Sequence, residues 1–202
     1  MRIIVGITGA SGSIYAVRLL EELSKRKYDL HAVFSKMGEE VMRFECATGR
    51  ERFPSVKWHE HDNMFSEIAS GTSAADQMVV VPCSIHTLSC IAHGISGNLL
   101  QRAAAVTLKE KRNLILVPRE TPVNSISLES MLTLSKAGAT ILPASPGFYH
   151  YPKTIDDLVD HVVEKILSLM NMPHELFRTW TNPNTAQIDD QKHTSSRTGG
   201  FF

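Results

Sequence analysis

The chain has 202 residues, 43% of them apolar, and its 21 Lys and Arg balance 21 Asp and Glu. That length supports one globular domain with a sizeable core. A zero net charge provides no general field for nucleic acid or an anionic membrane surface, so neither is expected as a partner.

Strand-like and helix-like stretches alternate along the chain. Residues 2–8, RIIVGIT, are a continuous apolar run fit for a buried parallel strand. From Ser13 the residues Ile14, Val17, Leu20 and Leu23 recur at helical spacing. A second strand is predicted over 29–35 and a helix from Met37 to Cys46, with Ser35 as a natural cap. Residues 50–75 show no clear period and read as a long connection with room for a short helix. QMVVVPC (77–83) is the third strand and 84–95 a helix; a further helix starts after Asn98 and runs through LLQRAAAVTLKEK. NLILVP (113–118) is the fourth strand, 125–138 a helix stopped by Gly138, and ATILPA (139–144) the fifth strand. TIDDLVDHVVEKILSLM (154–170) is the clearest helix, with Thr154 and Asp157 spaced as a capping pair. From Asn182 the sequence turns polar, which predicts a poorly ordered tail over 181–202. The alternation predicts an α/β fold, a doubly wound parallel sheet of Rossmann or flavodoxin-like type, in one domain.

No apolar run is long enough to cross a bilayer, and MRIIVGIT reads as a strand rather than a leader, so a cytoplasmic protein is expected. Cys46, Cys83 and Cys90 are odd in number and lack C-x-x-C spacing, which argues against a disulfide framework or a zinc site. His59 and His61, the closest pair among nine histidines, read as loop residues, and no metal is expected.

In doubly wound sheets ligands bind outside the carboxyl ends of the strands. The first strand ends in TGASG (8–12), a glycine turn whose free amides suit an anion, with Ser11 adding a hydroxyl. The third strand ends in Pro82-Cys83-Ser84, where Ser84 and Thr87 offer hydroxyls at a helix start; Cys83 lacks an evident base and is not read as a nucleophile. The fourth ends in PRETP (118–122), where Arg119 suits a phosphate or carboxylate and Glu120 a proton transfer. The fifth leads into SPGFYH (145–150), a rigid loop presenting Tyr149 and His150. Taken alone, Glu45, Lys109 and Lys165 read as solvated helix charges.

Together these stretches resemble the UbiX-type flavin prenyltransferases. The resemblance rests on TGASG (8–12), SK (35–36), PCSIHTLS (82–89), NLLQRAAAVTLKEKRNLILVPRETP (98–122), LESMLTLSKAGATILPASPGFYHYP (128–152) and IDDLVDHVVEKIL (155–167). It covers nearly all of residues 1–180, is weak over 47–69, and implies an FMN-binding domain over 1–180. It implies a homododecamer with flavin at subunit interfaces. The implied reaction joins a dimethylallyl group from dimethylallyl monophosphate to N5 and C6 of reduced FMN, without a metal, for use by UbiD-type decarboxylases. By the same resemblance Gly9, Ala10, Ser11, Ser35, Ser84, Ile85, His86, Thr87 and Arg119 bind FMN. Ser11, Glu45 and Glu120 stand at the reacting centre. Lys109, Tyr149 and Lys165, with Ser70 and Gly71, hold the donor phosphate. Trp180 matches a tryptophan near the family's C-terminus, and Trp58, Met64 and Phe65 are candidates for the prenyl pocket. Related FMN-dependent cysteine decarboxylases carry P-x-M-N where this chain has PRETP, which counts against that alternative; retention of the charged set counts against a non-catalytic flavin carrier.

Overall fold

The computed structural model describes residues 1–173; Trp180 and the polar tail lie outside the described residues. The strands are β1 (Arg2–Ile7), β2 (Asp29–Phe34), β3 (Lys57–His59), β4 (Gln77–Cys83), β5 (Asn113–Pro118) and β6 (Thr140–Ile141). The helices are α1 (Ser13–Ser24), α2 (Gly38–Cys46), α3 (Ile85–Ala92), α4 (Leu99–Lys109), α5 (Ser125–Lys136) and α6 (Ile155–Leu169). All strand pairs are parallel and the spatial order is β3-β2-β1-β4-β5-β6. The chain leaves β1 toward β2 and β3, then returns to place β4 on the other side. The topological switch point therefore lies between β1 and β4, where doubly wound sheets bind ligands.

Successive strand residues face opposite sides of the sheet, so the apolar runs feed two cores. Ile3, Val5 and Ile7 pack with Leu19 and Leu20 of α1 and Val163 of α6. Ile4, Met78 and Val80 pack with Leu88 of α3 and with Leu100 and Ala104 of α4. Burying one such side chain contributes ~1.5–3 kcal/mol, which explains why strands without polar alternation are stable only between two helical layers. Ser84, Asn98, Asn124 and Thr154 each accept a helix N–H in their side chains, and Thr154 with Asp157 forms the reciprocal capping box.

Three expectations are corrected. The 50–75 connection contains an edge strand, β3, which pairs His31–Val33 with Lys57–His59; three half-exposed residues are too few to show a period. The fifth predicted strand is only Thr140–Ile141: Leu142 and Ala144 still donate to Leu116 and Pro118 of β5, but Pro118 has no N–H to return a bond and the ladder ends. Ser35 does not cap α2 with its side chain: its carbonyl accepts the Gly38 N–H, and Met37 stands at the cap position.

Candidate functional site

The ends of β1 and β4 are tied at the switch point. Thr8, fully buried, donates its hydroxyl to the Pro82 carbonyl at 2.7 Å and accepts the Ser84 N–H at 2.8 Å. Ser84 in turn accepts the Thr87 N–H at 3.3 Å, which starts α3 beside the β1 turn. Gly12 has φ +104°, a conformation that favours glycine, and it turns the chain into α1. Gly38 packs so closely under β1 that a Cβ there would lie 2.4 Å from the Ile7 carbonyl oxygen. That contact holds the Ser35–Gly38 turn against the Gly9 turn.

Glu45 closes this corner from α2. Its carboxylate accepts the Gly12 and Ser13 N–H groups, each at 2.9 Å. Burial alone would raise its pKa, but hydrogen bonds from Ser11, Ser13 and Gly12 outweigh that and hold it below the ordinary carboxylate value. It is therefore ionised at neutral pH, on the positive end of α1. Arg119 reaches the same turn from the end of β5, donating Nε to the Ser11 carbonyl at 3.1 Å. Among the described residues the amides of Gly9, Ala10 and Ser11 make no hydrogen bond, and Gly9 and Ser11 are exposed. Ready donors beside an arginine and two serines fit a ligand with carbonyl and phosphate oxygens, as a flavin mononucleotide has.

Glu120 follows at the same edge and accepts the Thr121 N–H at 3.1 Å. Ile85 and Thr87 lie in the first turn of α3, and His86 is exposed with Nε2 3.8 Å from Cys90 Sγ. Cys83 is fully buried and its thiol is pushed up to about 12 by burial, so it is no nucleophile.

The phosphate set divides. Tyr149 bonds through its hydroxyl to His161 Nε2 at 3.1 Å, and Gly147 N–H donates to Nδ1 of the same ring at 3.2 Å. Lys165 lies one turn further along α6. His161 is pushed down by burial, then by the positive fields of His150 and Lys165. Lys109, by contrast, ends α4 just before the start of β5, paired with Glu110 at 3.0 Å and beside Gly71. Ser73 accepts from Arg2 at the start of β1, so Lys109, Ser70 and Gly71 sit at the amino edge of the sheet. Six-residue strands rise roughly 20 Å, and that length separates Lys109 from the Ser11 turn. Within one chain Lys109 does not meet Ser11, Arg119 or Tyr149.

The flavoprotein family profile matches residues 1–167. Flavin prenyltransferase UbiX of Halalkalibacterium halodurans is 50% identical over 188 residues, covering 87% of this chain and 91% of the relative. The chain belongs to the flavoprotein family and, within it, to the UbiX flavin prenyltransferases. It is also similar to the crystal structure of AnUbiX (PadA1) in complex with FMN and dimethylallyl pyrophosphate, at TM-score 0.86 and 37% identity over 90% of this chain and 97% of that one. A dodecameric FMN-dependent UbiX-like decarboxylase from Escherichia coli O157:H7 superposes at TM-score 0.87 with 38% identity, covering 90% of this chain and all of that one.

Against this family frame, sequence reasoning missed one cation. Arg102 lies on α4 seven residues before Lys109, two turns along the same face, and donates Nε to the Ala69 carbonyl beside Ser70. Its signal was the i, i+7 spacing from Lys109. Of the prenyl-pocket candidates, Trp58 stacks on Phe34 at 4.8 Å and donates to the Phe53 carbonyl, which commits it to the core. Met64 and Phe65 are exposed.

Proposed function

We propose that this chain joins a dimethylallyl group, taken from dimethylallyl monophosphate, to N5 and C6 of reduced FMN. The observation that carries the reading is the corner where Ser11, the ionised Glu45 and Arg119 converge on unspent backbone donors at the β1–β4 switch point. Reduced FMN, when bound, supplies the electron-rich N5 and C6. Gly9, Ala10, Ser11, Ser35, Ser84, Ile85, His86, Thr87 and Arg119 hold it. The allylic C–O bond breaks as phosphate leaves, and cations already in place lower the barrier to that charge separation. Tyr149 and Lys165 meet the departing phosphate from one chain. Lys109, with Arg102, Ser70 and Gly71, meets it from a second copy, since the amino edge of the same chain is too far away. The ionised Glu45 orients the Ser11 hydroxyl and stabilises the allylic positive charge. Glu120, at the same edge, accepts the proton released from C6.

A site shared in this way requires a homo-oligomer, and a dodecamer fits the family. The single chain leaves Phe44 90%, Phe65 101% and Phe148 69% exposed, surface that copies of the chain would cover. The closure would also exclude water from the allylic cation. The prenylated flavin would pass to a UbiD-type decarboxylase. No helix among the described residues is long and apolar enough to cross a membrane. The test is anaerobic incubation of folded, FMN-loaded protein with reductant and dimethylallyl monophosphate, followed by mass spectrometry of the flavin. A gain of one C5H8 unit supports the reading, and unmodified FMN refutes it.

A further inference from the structure

The pairing of β2 with β3 does more than extend the sheet. It sets His31 beside His59, and the turn after β3 brings Glu67 to the same place. His31 is completely buried, with Nδ1 2.7 Å from His59 Nε2 and the two rings nearly parallel at 9°. Glu67 Oε1 lies 4.0 Å from His31 Nδ1. One ligand atom from each of the three falls within 4.8 Å of the others.

The outer atoms are anchored as well. His59 Nδ1 is 2.8 Å from Ser66 Oγ, and His31 Nε2 is 3.1 Å from Asp29 Oδ1. Asp29 is itself fixed by Lys57 at 2.9 Å and Arg2 at 2.8 Å. Glu67 gives its other oxygen to Arg2 at 3.0 Å, which leaves Oε1 turned toward the histidines. Histidines whose outer nitrogens rest on oxygens, and whose inner nitrogens converge beside a carboxylate, have the outer-shell arrangement of metal ligands. A simple His–His hydrogen bond accounts for less: it joins Nδ1 of His31 to Nε2 of His59 and leaves Glu67 Oε1 4.0 Å away, outside hydrogen-bond reach.

We propose that His31, His59 and Glu67 form a binding site for a divalent cation of the zinc class, with a fourth position open to water. Two nitrogens each about 2.0–2.1 Å from zinc in tetrahedral geometry stand roughly 3.3 Å apart, so the rings must part by about 0.6 Å. His59 is on a three-residue edge strand and Glu67 is exposed, so both can follow. Arg2 and Lys57 oppose a cation in part, so micromolar rather than tighter affinity is expected. The bound ion would pin β3 and the Glu67–Ala69 turn to β2, on the segment that leads to Ser70 and Gly71. It stands apart from the Ser11 corner and takes no part in prenyl transfer.

The experiment uses the full-length chain stripped by chelator, then titrated with Zn2+ by calorimetry and with Co2+ by absorption. One equivalent per chain, tetrahedral Co2+ bands and a raised thermal midpoint are expected. His59→Gln and Glu67→Gln should each weaken binding at least tenfold. Both residues are at least partly exposed, so the variants should fold; if His59→Gln does not, Glu67→Gln decides. Absence of saturable binding, or unchanged affinity in the folded variants, would overturn the proposal.

Discussion

Replacing Glu45 tests whether its carboxylate holds the Ser11 turn. It accepts two backbone N–H groups at 2.9 Å and bonds the Ser11 hydroxyl. Hydrogen bonds to a charged partner contribute ~1.5–3 kcal/mol each, and a carboxylate at a helix N-terminus adds ~0.3–1 kcal/mol. Glu45 is exposed, so solvent screening removes much of that sum. Glu45→Ala should then cost about 2 kcal/mol and Glu45→Gln about 1 kcal/mol, because the amide oxygen still accepts a bond. Urea unfolding at one fixed protein concentration measures this, since assembly shifts apparent stability. The folded-state pKa lies below the ordinary 4.5. The stabilisation is therefore complete above about pH 4.5 and is lost as pH falls through the folded value. The gap between wild type and Glu45→Gln should close in acid. If both variants stay within about 0.5 kcal/mol of wild type at pH 7, the carboxylate does not hold the turn.

Gly38→Ala should abolish FMN retention on gel filtration and destabilise by about 1–3 kcal/mol, because its Cβ would meet the immovable Ile7 carbonyl; FMN bound as in wild type would remove Gly38 from the site's frame. His161→Ala should raise KM for dimethylallyl monophosphate more than it lowers kcat, since His161 positions Tyr149 and Gly147 without touching the reacting atoms; a fall in kcat alone would count against that role. In thiol titration of the native chain Cys83 should stay unreacted until denaturant is added, given its burial and a thiol pushed up to about 12; prompt labelling of Cys83 at pH 8 would contradict the packing of β4.

The parts of the fold legible in the sequence are those with a local cause. β4 and β5 are unbroken apolar runs, and Asn98 and Thr154 carry cap chemistry within three residues. What escaped depends on partners distant in the chain. Glu45 alone reads as a surface charge, yet its partners lie 32 and 33 residues earlier. His59 reads as a loop residue because His31, which meets it, is 28 residues away on another strand. The family resemblance gathers Lys109 and Tyr149 into one phosphate set at a subunit interface, but the residues alone do not show why two chains are needed. The topology supplies the reason: α4 runs down to the start of β5, so Lys109 ends at the amino edge, away from Tyr149.

The most direct test of a prenyl site shared between copies is a mixed oligomer. Glu120→Gln and Lys109→Ala chains, each impaired alone, are co-assembled, loaded with reduced FMN and given dimethylallyl monophosphate. Random mixing should restore about a quarter of the wild-type sites, with the flavin gaining one C5H8 unit at a matching rate. Flavin that remains unmodified in the mixture, while wild-type protein converts it, would contradict the shared site.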